Sequence, residues 1–149
     1  MTTTTTDTPA RGAPWHFWLV AAVGLLWNGF GAFDYTMSHL QGVAYYRQMG
    51  MTDAQIAFMD TYPSWMHGVW AIGVWGSALG AVLLLFRSKW AFHAFAVSIL
   101  GAIGNIAYTA MTPGASEAMG GLAMPLVIIA ACLFFIWYAW TMTKRGVLR

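Results

Sequence analysis

The sequence predicts an all-α membrane protein: an antiparallel bundle of four transmembrane helices with both termini cytoplasmic. Three observations predict it. Hydrophobic residues make up 59% of the chain and charged residues only 8%, against roughly 25% charged in an average soluble domain. Few soluble folds of this length hide so much apolar surface. Four stretches free of Asp, Glu, Lys and Arg follow one another: Trp15–Phe33, Trp65–Phe86, Trp90–Met111 and Gly120–Met142. Finally, six of the seven Lys and Arg fall on one side of those stretches.

Each stretch is long enough to cross a bilayer. At ~1.5 Å per residue their 19 to 23 residues cover about 28–35 Å, close to a hydrocarbon core of roughly 30 Å. Backbone groups find no water there, so every span is predicted helical. Pro125 falls in the first turns of the fourth span, where a missing N–H costs least. A cleavable signal peptide is the rival reading of span one, but its apolar run exceeds the 7–15 residues of a signal core.

The connections set the orientation. Arg11 precedes span one, Arg87 and Lys89 lie in the turn between spans two and three, and Lys144, Arg145 and Arg149 follow span four. Only Arg47 lies on the other side. The positive-inside rule then puts both termini in the cytoplasm and the 34–64 and 112–119 connections outside. Trp15, Trp18, Trp90, Trp137 and Trp140 gather at the inner boundary, and Tyr35, Tyr62, Trp65 and Tyr108 at the outer one, as an aromatic belt requires.

Outside the spans, residues 1–14 form a threonine-rich polar segment expected to be disordered, and 144–149 a basic cytoplasmic tail. The outer loop, about residues 38–63, is partly helical. Thr52 followed by Gln55 is a capping-box pattern, Asp53 lies in the first turn and Pro63 lies beyond the end. The resulting short helix lies over the outer mouth, either as a lid or as a cover for helix ends. "GVAYYRQM" upstream is a further helical turn or a continuation of span one.

In lipid, helices meet where side chains are small. Gly76 and Gly80 form a literal GxxxG in span two, facing either a neighbouring helix or a second copy of the chain. Span three offers Ala94, Ser98, Gly101, Ala102 and Asn105 along one face, and span one offers Ala21, Gly24, Asn28, Gly31 and Ala32.

Polar residues inside the spans are the candidate solute contacts: Asn28, Asp34, His67, Trp70, Asn105 and Tyr108. Asn28 lies twelve residues past His16, about 18 Å along the axis and near the midplane. It must find an interhelical partner or a ligand. Asp34 lies about 27 Å along, at the outer boundary, where Tyr35, His39, His67, Trp70, Asn105 and Tyr108 can gather. His16 with His93, and His39 with His67, are the pairings that would allow haem between helices, although no spacing calls for it. No cofactor and no metal site is expected. No P-loop, GxGxxG or Cys/His zinc pattern occurs, and a lone Cys132 excludes an internal disulfide. Ser64, Ser77 and Ser98 lack a His and carboxylate at a suggestive spacing, so no enzyme is expected. Nor is a nucleic-acid partner. The expected partners are the lipid bilayer and either further copies of the chain or a larger membrane complex.

The runs "PWHFWLV…LLWNGFGAFDYTM" and "GVWAIGVWGSALGAVLLLFRSKWAFHAFAVSILG", with the terminal "KRGVLR", resemble a family of small proteobacterial four-span inner-membrane proteins. Members of that family are commonly labelled sugar transporters. The resemblance implies a bacterial inner membrane and small-solute transport, and it assigns no residue a role. Four helices enclose little space, so transport implies an oligomer with the path between protomers. The competing expectation is a non-catalytic accessory subunit of a larger membrane complex. A haem or quinone protein comes third.

Overall fold

The computed structural model describes residues 12–149; Arg11 and most of the N-terminal segment lie outside them. Among the described residues the chain is built of helices alone. They are α1 (Trp15–Gln41), α2 (Val43–Gln48), α3 (Asp53–Asp60), α4 (Ser64–Leu85), α5 (Trp90–Met111), α6 (Ala115–Ala118) and α7 (Ala123–Lys144). Four of them, α1, α4, α5 and α7, are long and apolar enough to cross a membrane. α1 extends beyond the charge-free stretch, through Phe33 to Gln41, and the Asp34 carboxylate on it accepts from the Tyr45 hydroxyl. Of the two readings of "GVAYYRQM", the further helical turn holds: α2 is a separate helix, broken from α1 at Gly42, whose φ of 55° suits glycine.

The four long helices alternate in direction. α4 packs between α1 and α5, and α5 packs between α4 and α7. The α4–α5 seam is the tightest. A Cβ built on Gly101 would lie 2.5 Å from the backbone N of Gly73 and 2.7 Å from the carbonyl O of Val69, so the two backbones touch. The Ser98 hydroxyl crosses the same seam and donates to the carbonyl of Gly73. Gly76 accepts Ser98 against its backbone, and Gly80 accepts the Phe95 ring. Of the two readings of the GxxxG pair, the structure shows contact with a neighbouring helix of the same chain.

Aromatic rings close the bundle at one end. Phe95 stacks on Phe135, Phe17 stacks on Tyr138, and Gly24 makes room for the Phe135 ring. His16 Nδ1 and the Tyr138 hydroxyl are hydrogen-bonded at 2.7 Å, joining α1 to α7. None of the residues from Ala123 to Phe134 in the N-terminal half of α7 is buried.

Residues 145–149 dock on the bundle. Gly146, with φ 71°, ends α7, and Val147 and Leu148 turn inward and are buried. Arg149 N–H donates to the carbonyl of Arg87 at 2.8 Å, and Lys89 N–H donates to that of Arg149 at 2.9 Å. Arg87 takes a left-handed backbone, φ 59°, and its Nε donates to the carbonyl of Val147 at 3.0 Å. This basic end carries Arg87, Lys89, Lys144, Arg145 and Arg149, while the opposite end carries the short helices.

The α4–α5 seam predicts contrasting effects of two alanine substitutions. Gly101→Ala drives a methyl into backbone and should destabilise by ~1–3 kcal/mol. Gly68→Ala meets nothing within 4 Å and should be neutral or stabilising by up to ~1 kcal/mol. Thermal unfolding of the two variants in detergent checks this; equal midpoints would refute the backbone contact.

Candidate functional site at the capped end

The short helices form a cap. Thr52 Oγ1 accepts the Gln55 N–H at 3.3 Å, and Gln55 Oε1 accepts the Thr52 N–H at 2.9 Å, so the predicted capping box starts α3. Amphipathic spacing turns Ile56 and Met59 of α3 against Tyr45 and Tyr46 of α2. This small core rests on Met37, Met51, Tyr62 and Trp70. α6 touches α3 from the other side. Arg47 and Asp53 pair at 3.3 Å, but both are exposed and the pair adds little.

Beneath the cap the aromatic residues of α1, α4 and α5 converge. Tyr35 lies 4.1 Å from His39 and 5.0 Å from Trp70, centroid to centroid. His39 and His67 meet edge to face at 5.0 Å. Tyr62 connects this group to a second one, touching His67 at 6.0 Å and Tyr108 at 5.4 Å. Trp65 closes on Tyr108 at 5.7 Å. His39 and His67 are thus in direct ring contact, which leaves no space for a macrocycle between them. Among the described residues no group of three or more His, Cys, Asp or Glu is placed to hold a metal ion.

Several polar side chains of this end are paired. The Tyr45 hydroxyl donates to Asp34 Oδ1 at 2.9 Å, and the Tyr62 hydroxyl donates to Asn105 Oδ1 at 3.2 Å. The Tyr35 hydroxyl donates to the carbonyl of His67 at 3.3 Å. His39 Nδ1 lies 2.8 Å from the carbonyl of Tyr35. Among the described residues, the buried side-chain polar atom without a hydrogen-bond partner is His67 Nδ1.

The structure therefore brings His67, Trp70, Asn105 and Tyr108 into one chain of contacts, and reaches Asp34 through Tyr45. Asn28 stands apart. It is buried on α1, and its Nδ2 donates to the carbonyl of Gly24 on the same helix at 2.8 Å. Among the described residues its hydrogen bond stays within α1 and reaches no other helix. Sequence reasoning missed Tyr45 and the anchoring role of Tyr62. The signal for Tyr45 was a pair of tyrosines in a loop that otherwise looked like a mere connection.

Family models, curated proteins and solved structures contain no match to this chain. The capped end is accordingly read from its own geometry.

Burial raises the phenols of Tyr45, Tyr46 and Tyr62 above their ordinary value of 10.0. For Tyr45 the hydrogen bond to Asp34 and its negative charge act in the same direction. A phenol with a raised folded pKa lends stability that is complete below the unfolded value and is lost as pH rises through the folded one. The cap is therefore expected to hold at neutral pH and to loosen above about 10. Tyrosinate absorbance of the detergent-solubilised protein should show a late-titrating phase, and Tyr45→Phe should remove part of it. Titration of every tyrosine in a single phase near 10 would contradict the buried cap.

Proposed function

We propose that this chain is a small multi-pass protein of the bacterial inner membrane, with both termini cytoplasmic. It carries out no chemistry of its own, and it works laterally as an accessory subunit of a larger membrane complex. Segregation of charge supports the orientation: five basic residues share one end, and the described acidic residues Asp34, Asp53, Asp60 and Glu117 share the other.

One observation carries the lateral reading. Side chains and backbone fill the α4–α5 seam and both ends of the bundle, and the cleft of about 210 Å³ between α1 and α7 is apolar, lined by Leu19, Val20, Val23, Phe134 and Phe135. Phe17, Tyr138, Phe95 and Phe135 fill the basic end, backbone contact at Gly73 and Gly101 fills the middle, and the cap core and its rings fill the other end. A self-contained carrier needs a polar site near the midplane that opens to both sides. The midplane amide, Asn28, is spent on its own helix. Meanwhile the outer half of α7 is apolar on all sides and offers packing surface beyond the bundle.

Small-solute, sugar-like transport is the second reading. Its support is the unpaired His67 Nδ1 among Tyr35, His39, Trp70 and Tyr62, since rings beside a polar atom suit a sugar. Because four helices enclose little space and the cleft between α1 and α7 is apolar, that path runs between protomers of an oligomer.

Native electrophoresis of gently solubilised membranes tests the choice. The chain should run inside a particle larger than a small homo-oligomer, with fixed stoichiometry to other proteins. Proteoliposomes holding only this chain should take up no labelled sugar. Uptake that His67→Phe abolishes would overturn the subunit reading in favour of transport.

A further inference from the structure

We propose that the cleft between α1 and α7 holds one acyl chain of a phospholipid from the leaflet at the basic end. The other neighbouring long helices pack along their backbones, α1 with α4, α4 with α5 and α5 with α7. α1 and α7 meet instead through side chains, by the His16–Tyr138 hydrogen bond and by the Phe135 ring seated at Gly24. Beside those contacts lies a cleft of about 210 Å³, lined by Leu19, Val20, Val23, Phe134 and Phe135.

The cleft is made of fixed parts. Its floor is Phe135, which is buried and stacks on Phe95 at 5.2 Å between centroids. A Cβ built on Gly24 would lie 2.8 Å from that ring, so α1 holds the floor from the other side. Phe134 forms one wall and stacks on Tyr138 at 5.8 Å. Leu19 and Val23 form the other wall. They are four residues apart on α1, so they share a face, and both are exposed. Val20 packs on the core beside them. Every lining side chain is hydrocarbon, so the cleft offers no polar handle and suits an alkyl chain.

Depth and size choose the occupant. His16 and Tyr138 lie about one helical turn from Leu19 and Phe134, on the basic-end side. Trp15 and Trp137 are exposed next to them. Such a belt marks the headgroup boundary, so the cleft begins just inside the hydrocarbon, at the depth of the upper acyl chain. The four steps from Leu19 to Val23 cover ~6 Å, and a helix about 10 Å across needs roughly 500 Å³ over that length. The cleft is less than half that size, too small to seat a helix of a partner or of a second copy. A tail gains nothing hydrophobic by leaving other tails. It is held by van der Waals contact with five side chains that would otherwise face a gap.

Native mass spectrometry of the full chain, released from detergent micelles containing phosphatidylcholine, tests this. One lipid per chain should be retained. Lysophosphatidylcholine, which has one tail, should displace it, and glycerophosphocholine, which has none, should not. Val23→Trp fills the cleft and should lower retention about tenfold, the factor for losing on the order of ten van der Waals contacts. Leu79→Trp adds bulk at an exposed position of α4 and should leave retention unchanged. Leu19→Trp is a second cleft variant, and thermal unfolding of each confirms the fold. In phosphatidylcholine vesicles, a phosphatidylcholine with a diazirine on its acyl chain should label residues 19–23 and 134–135 above the equally exposed Leu79, Val97 and Leu100. Equal retention in Val23→Trp and Leu79→Trp, displacement by glycerophosphocholine, or even labelling of all exposed faces would each overturn the proposal. A lipid-free dimer that Val23→Trp splits would overturn it in favour of a second copy.

Discussion

A bilayer offers helices almost no hydrophobic reason to associate, because lipid tails are as apolar as leucine. What remains is close approach, and in this protein it is concentrated where α4 meets α5. Gly73 and Gly101 bring backbone against backbone, and Ser98 adds a hydrogen bond across the same seam. The rest of the bundle is arranged around that pair. α1 takes the free flank of α4, and α7 takes the free flank of α5. Large rings then span the gap left between α1 and α7, with Phe135 seated on Gly24 and Tyr138 bonded to His16. Small residues set the distance on one side of the bundle, and rings fill the greater distance on the other.

The two ends are finished by different means. At the basic end the chain folds back on itself, so Val147 and Leu148 extend the apolar core while backbone bonds tie Arg149 to the α4–α5 turn. At the other end a loop too long to be a simple turn becomes a second, smaller core of Tyr45, Tyr46, Ile56 and Met59. Its tyrosines place their rings in that core and their hydroxyls on polar atoms of the long helices, as Tyr45 does with Asp34 and Tyr62 with Asn105. An amphipathic side chain suits this boundary because it satisfies both phases at once. Asp34 is tolerable at the end of a span for the same reason.

The spans were legible in the sequence because their signal is compositional and needs no partner: α5 begins and ends at the predicted Trp90 and Met111. The capping box of α3 was legible because it is local, three residues closing on themselves. The convergence of Tyr35, His39, His67 and Trp70 was foreseeable from depth alone, since axial position sorts residues into layers. Contacts that depend on rotation about a helix or on chain reversal were not. Nothing local in "YYRQ" says that Tyr45 reaches back to Asp34, and nothing in "KRGVLR" says that Val147 and Leu148 turn inward.

Polarity within an apolar span is also weaker evidence for a ligand than its cost implies. A buried amide or hydroxyl must be satisfied, but a helix offers a carbonyl four residues back. Asn28 uses that of Gly24, Thr36 that of Ala32, Thr109 that of Asn105, Thr141 that of Trp137 and Thr143 that of Ala139. Each bond removes one reason to invoke a solute. The residues that still ask for a partner are those whose geometry forbids this local solution. An imidazole edge wedged among other rings, as in His67, is one case. Function in so apolar a protein is therefore better sought at the capped end, around His67, than at Asn28, whose amide N–H already bonds its own helix.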